Sequence, residues 1–157
     1  MSEVFPGRFT TGVPQDATAV FLIGMRVNTF RGLIKARSVF TAMPRMRNLY
    51  GHPESGLLGS ANWFGRTTIL VSYWRSPADV QRFASDPSAP HAAAWLKFNQ
   101  HIGSGPDVGI WHELYTVRPG DYEGVYVNMP KFGLAAAAGH VPVGDGTRTS
   151  KQRMARA

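Results

Sequence analysis

The order of hydrophobic periodicities constrains this chain most. A period-two stretch is followed by a helical one, then two period-two stretches, a broken helical one and a last period-two stretch. From Ala19 to Asn28, the residues Phe21, Ile23, Met25 and Val27 share one face of a strand, and Arg26 and Asn28 share the other. Residues 31–50 carry Val39, Phe40, Met43, Met46 and Tyr50 at helical spacing, with Pro44 placed to kink the helix. Gly51, Pro53 and Gly56 punctuate a loop. Leu57 to Phe64 and Thr67 to Trp74 then read as an antiparallel hairpin turned at Gly65-Arg66. Ser76-Pro77-Ala78-Asp79 has an N-cap hydroxyl, a proline suited to the first helical position and an acid at the positive helix end. Asp86-Pro-Ser-Ala-Pro90 interrupts that helix, and a second helical stretch runs from about His91 to His101. After Gly103-Ser-Gly-Pro106, Val108 to Val117 alternates as a strand. The order βα-ββ-αβ is the split βαβ of ferredoxin-like α+β folds.

Such a sheet carries helices on one face and leaves the other to be covered. Two sheets packed face to face as a dimeric α+β barrel meet that need, and four Trp, nine Phe and five Tyr suit a barrel interior. The domain is expected over residues 18–134. An extended arm, residues 1–17, precedes it, and a C-terminal extension, 135–157, ends in a basic tail that reads as disordered. That tail holds +3 of the chain's formal net charge of +7. The remaining basic residues are scattered and spell no nucleic-acid motif, so nucleic acid is not an expected partner. Apolar runs fall short of the roughly 20 residues a membrane span needs, and the first residues do not resemble a secretory signal. The expectation is a soluble cytoplasmic protein with no membrane partner.

The chain has no cysteine, which removes disulfides, thiolate metal sites and cysteine nucleophiles. Five histidines remain. His52 and His140 sit in Gly/Pro-rich loops, and His101 closes a helical stretch, where an imidazolium favours the negative helix end. His91 opens that stretch, with Trp95, Phe98 and Ile102 on its face and Ala92, Ala93 and Ala94 leaving room around it. A histidine on an aromatic stripe is most often a satisfied core residue; the alternative is an axial ligand for haem iron. His112 lies mid-strand with Val108, Ile110 and Leu114, while Glu113 faces the other way with Trp111 and Tyr115. An imidazole on an apolar sheet face either bonds a backbone carbonyl or lines a cavity, where it can act as general acid or base. The spacing of His91 and His112 spells no zincin-like site.

Several segments carry a resemblance. Ala42-Met-Pro-Arg-Met46, Gly56-Leu-Leu-Gly59, Tyr73-Trp-Arg-Ser76, Asp86-Pro-Ser-Ala-Pro-His91, Gly109-Ile-Trp-His-Glu113 and Asn128-Met-Pro-Lys-Phe-Gly133 resemble a small monooxygenase-like family of bacteria and fungi within the dimeric α+β barrel superfamily. The likeness covers about residues 19–134. More distantly, Tyr73-Trp-Arg-Ser76, a short helix, His91 and the strand pair His112-Glu113 resemble the C-terminal part of the haem-containing aldoxime dehydratases. That resemblance implies His91 as the axial iron ligand and His112 as the distal acid/base. The chain is roughly half the dehydratases' length, so a second subunit would be needed for a comparable barrel, and their distal arginine and serine have no assigned counterpart here.

The expected function is a homodimeric, haem b-dependent, monooxygenase-like oxidoreductase acting on a small organic substrate. His91 would hold the iron, Trp95, Phe98 and Ile110 would line the haem, and His112 would be catalytic. Arg26, Arg37, Arg66 and Arg75 are available to the propionates. The alternatives are a haem-dependent dehydratase or lyase acting on an N–O bond, a cofactor-free monooxygenase in which His112 or Tyr73 moves a proton, and a non-catalytic haem or small-molecule binding protein.

Overall fold

The computed structural model describes residues 2–13, 18–40, 53–88 and 105–156, together with the helical Ala92, Leu96 and Gln100. Its strands are β1 (Phe5–Thr11), β2 (Thr18–Val27), β3 (Leu57–Trp63), β4 (Thr67–Trp74), β5 (Val108–Val117), β6 (Val125–Met129) and β7 (His140–Pro142). The helices are α1 (Phe30–Phe40), α2 (Pro77–Ser85), α3 (Gly133–Ala138) and α4 (Ser150–Met154). Four strands form an antiparallel sheet in the order β3-β4-β2-β5. The crossover from β2 to β3 spans β4, and that from β4 to β5 spans β2. This is the ferredoxin-like α+β topology expected from the periodicities. The Pro44 kink lies outside the described residues.

The central strand β2 pairs without interruption with β5 from Thr18↔Val117 to Val27↔Val108, and with β4 from Ala19↔Trp74 to Arg26↔Thr67. Residues opposite one another share a face. Helices cover the face bearing Ala19, Phe21, Ile23 and Met25, and the described core there is in two parts. At one end Met25 and Val108 pack on Ala36 of α1, with Val27 and Ile110 alongside. At the other, Ala19 and Trp74 pack on Val80 of α2, with Phe21, Leu57 and Phe83 alongside. Two hydroxyls on this face are satisfied internally. Ser72 Oγ donates to the Phe21 carbonyl at 3.0 Å and accepts from Trp74 Nε1 at 2.9 Å; Thr68 Oγ1 accepts from the Met25 amide at 3.1 Å.

Helices α1 and α2 are each anchored at their starts. The Thr29 hydroxyl accepts from the Gly32 amide at 3.1 Å, capping α1, and donates to Asp107 Oδ1 at 2.5 Å. Lys35 Nζ reaches Asp107 Oδ2 at 2.6 Å, and these two partners hold the Asp107 carboxyl below its usual range. Ser76 caps α2 as expected, accepting from the Asp79 amide at 3.2 Å, with Pro77 following. The buried Asp79 carboxylate also accepts from Ser76 Oγ, Arg75 and Arg82. Gly56, at φ +75°, lies against that carboxylate, so any side chain there would collide with it.

Strands the periodicities did not single out form a second sheet, β6-β1-β7. The extended arm is its centre. Asn128, at φ 52°, accepts from the Gly7 amide at 2.9 Å where the β1–β6 register shifts. The following segment crosses to the main sheet's second face, where Phe132 meets Trp63 edge-on at 6.0 Å. The basic tail differs from the disorder expected of it. Thr149 and Gln152 form a capping box for α4, and the buried Arg153 pairs with Glu123 at 2.7 Å. Arg156 donates to the Thr11 carbonyl at 2.9 Å. Local composition suggested solvation because the pairing acid lies 30 residues away.

Burial opposes ionisation of Asp79, but the hydrogen bonds from Arg75, Ser76 and Arg82 outweigh it and lower its pKa. A depressed carboxyl stabilises the fold fully above its unfolded value of about 4, and loses that contribution as pH falls through the folded value. Thermal melts of Asp79→Asn should therefore show a loss of about 1–3 kcal/mol at neutral pH that shrinks toward acid. A loss independent of pH would contradict this account of α2.

Candidate functional site

The unbroken β2–β5 register decides what His112 faces. Ile23 lies opposite it, Leu70 completes the row across β4, and the next row is Ser72, Phe21 and Leu114. His112 thus stands on the helix-bearing face, at the break between the α1 and α2 clusters. The imidazole is exposed and tilted against Phe21 at 5.9 Å between ring centroids. It makes no hydrogen bond to any described residue. Leu114, one row along, is exposed, and Ile23 and Phe21 are half-buried. Ile110 is half-buried on the same face, against the Met25–Ala36–Val108 cluster. Among the described residues, an apolar wall thus carries one polar group with both ring nitrogens uncommitted, on a strand at the sheet's edge.

The sequence-based site residues divide between described and undescribed parts of the chain. His112 and Ile110 share a face and neighbouring rows. His91, Trp95 and Phe98 lie outside the described residues, as do His52 and His101. Phe21, Ile23 and Leu114 join His112 on this wall. The period-two alternation held the signal for all three, but an aliphatic residue on a strand is ordinarily core, so nothing marked them as site residues. Among the described residues no group of three or more His, Asp or Glu side chains could hold a metal ion by itself.

Three of the four candidate propionate partners are already engaged, and the Arg37 side chain lies outside the described residues. Arg26 donates to Thr67 Oγ1 at 2.9 Å, Arg66 to the Val27 carbonyl at 3.2 Å, and Arg75 to Asp79. Tyr73 sits on the opposite face from His112, in a row with Val20 and Tyr115. Burial, and then the nearby Tyr126, raise its pKa, which makes it a poor base near neutrality. That face also carries Trp111, whose indole Nε1 lies 2.6 Å from where a Cβ on Gly24 would be, so the cross-strand glycine makes room for the ring. Beside it the Tyr115 hydroxyl donates to Glu113 Oε2 at 2.7 Å.

A family model described as Monooxygenase af470-like matches residues 18–134. Monooxygenase af470 of Aspergillus fumigatus is 30% identical over 149 residues, covering 82% of this chain and 53% of that protein. Among solved structures, aldoxime dehydratase OxdRE in complex with butyraldoxime superposes with a TM-score of 0.69 at 15% identity, over 87% of this chain and 43% of that one. A second aldoxime dehydratase gives 0.59 at 16% identity, over 97% and 45%. The chain spans about half the length of the curated relative it matches. The likeness to the dehydratases is one of fold.

Two histidines give an internal check on this geometry. His112 is exposed, whereas His140 is stacked on Phe9 at 4.1 Å and its Nε2 is buried. Peptide mapping after brief diethylpyrocarbonate treatment of the haem-free protein should find His112 modified well before His140. The reverse order would contradict the placement of β5.

Proposed function

Because the chain belongs to the monooxygenase af470-like family, we propose that it is an oxidoreductase acting on a small organic substrate at the His112 wall, with haem b as its cofactor. The observation that carries this reading is the uncommitted imidazole of His112 on an apolar surface between two separate core clusters. Covering an exposed imidazole without giving it a partner is costly, so this wall favours a flat, largely apolar ligand that leaves the ring nitrogens something to bond. The described residues fit one side of a haem. Ile23, Ile110 and Leu114 offer apolar contact, Phe21 an aromatic edge and His112 a polar group. His91 would hold the iron through a neutral imidazole, and Trp95 and Phe98 would line the haem. When bound, haem supplies one-electron chemistry on oxygen or on an N–O group.

The chain's own contribution follows from His112. In its neutral form one ring nitrogen accepts a proton and the other donates one. It can therefore hold a proton at a substrate oxygen and deliver it as charge develops there, which is general acid–base catalysis worth about 10²–10⁴-fold. With a ligand covering the wall, the surrounding aliphatic side chains would limit water's access to that proton. Two copies of the chain would complete a barrel through the faces carrying Val20, Leu22, Trp111 and Tyr115, since one copy is about half the length of its relatives. A cofactor-free reaction through Tyr73 is disfavoured by its raised pKa and by its place on the opposite face.

Titration of the purified protein with haemin should give a Soret band saturating at one haem per chain. His91→Ala should abolish or reshape that band. His112→Ala should keep the band and lose about 10²–10⁴-fold in turnover of any accepted substrate. No Soret band would refute haem dependence. Loss of the band in His112→Ala, with His91→Ala unaffected, would exchange the two roles. Dehydration of an aldoxime, rather than oxygenation, would reassign the reaction to the N–O class.

A further inference from the structure

The side chains of helix α1 are described from Phe30 to Ala36. Among them Ala36 is fully buried, and Gly32 is so close to the Asp107 carbonyl that any side chain would collide with it. Three large apolar ones point away: Phe30 is 93% exposed, Ile34 79% and Leu33 58%, at the i, i+3, i+4 spacing of one helical face. The turn of the β3–β4 hairpin lies at the same end of the molecule. The Val27 amide donates to the Arg66 carbonyl at 3.0 Å, and the Arg66 guanidinium donates back to Val27 and Asn28, just before the Thr29 cap of α1. That turn exposes Phe64 at 71%, with Trp63 beside it.

The segments that carry these residues hold charge of one sign. Residues 18–40 and 57–74 contain no Asp or Glu, yet hold Arg26, Arg31, Lys35, Arg37 and Arg66. The acid that α1 does meet, Asp107, is taken by Lys35 and Thr29. A second copy placed on this patch would bring like charges together, which disfavours self-association there. Apolar side chains with Arg31 beside Phe30 and Arg66 close after Phe64 in the chain instead match a surface that is anionic outside and apolar just beneath.

We infer that Phe30, Leu33, Ile34 and Phe64 form a docking surface for an anionic lipid bilayer, on which α1 lies in the plane of the interface. No spanning segment is needed for this, and among the described residues no helix is long and apolar enough to be one. Docking places the sheet's helix-bearing face near the membrane without inserting the domain. The inference is independent of what His112 does, since none of its residues lies on the His112 wall.

Vesicle co-sedimentation tests it. The full chain should pellet with phosphatidylcholine vesicles containing about 20 mol% phosphatidylserine, bind pure phosphatidylcholine far more weakly, and come off in about 0.5 M NaCl. The combined variant Phe30→Ser, Ile34→Ser, Phe64→Ser should fail to bind while keeping the wild-type melting transition. Arg31→Glu, which removes one cation and adds an anion, should weaken binding about thirtyfold. The inference is overturned by no binding to anionic vesicles, by wild-type binding in the triple variant, or by a melting transition that collapses in it, which would place these side chains inside the fold. A dimer in light scattering that the triple variant dissociates would assign the patch to contacts between copies and overturn it as well.

Discussion

The site proposed for this protein depends on the register of β2 against its two neighbours. Ten successive pairs with β5 and eight with β4 run without a bulge, and in a sheet a slip of one residue would turn every side chain to the opposite face. That register puts His112 with Ile23 and Phe21, and Trp111 with Gly24. It is pinned at one end by Asp107, which ties the start of α1 to the start of β5 through Thr29, Lys35 and the Asn28 amide. A strand at the sheet's edge has one neighbour to specify it, so these contacts carry more of the burden there.

The same register accounts for the division of the core. The small residues of α1 bring it down over Met25 and Val108, while Val80 and Phe83 of α2 cover Trp74 and Ala19. Between them the rows of Ile23 and Phe21 are only half-covered, and the hydroxyls of Ser72 and Thr68 are spent on β2's backbone. The polar group left for chemistry on the central rows of this face is His112. On the reverse face, the Asn128 to Gly133 segment lays Phe132 on Trp63, and the uncovered part lies along β2 and β5.

Much of this was legible in the sequence because its signals are local. Alternation at Phe21, Ile23 and Met25, the Gly65-Arg66 turn and the Ser76-Pro77-Asp79 cap each depend on neighbours within a few residues, and each element formed where it was expected. The second sheet was not legible. Its centre, Phe5–Thr11, acquires meaning only when Asn128 captures the Gly7 amide across 121 residues. The tail was misjudged for the same reason, since Arg153 looks like a solvated cation until Glu123 is placed beside it. For the candidate site, alternation grouped His112 with Val108, Ile110 and Leu114, and the pairing shows those residues on one face. The break in the core that singles out His112 depends on which side chains of α1 and α2 reach the sheet. Helical periodicity missed that, because Phe30, Leu33 and Ile34 of α1 are turned outward.

The most direct test is to grow crystals of the haem-loaded protein and locate the iron by anomalous scattering. The account predicts one iron per chain over the helix-bearing face of the sheet, ligated by His91, with the His112 ring on its other side. Iron bound on the reverse face, beside Trp111 and Tyr115, or ligated by any residue other than His91, would contradict it.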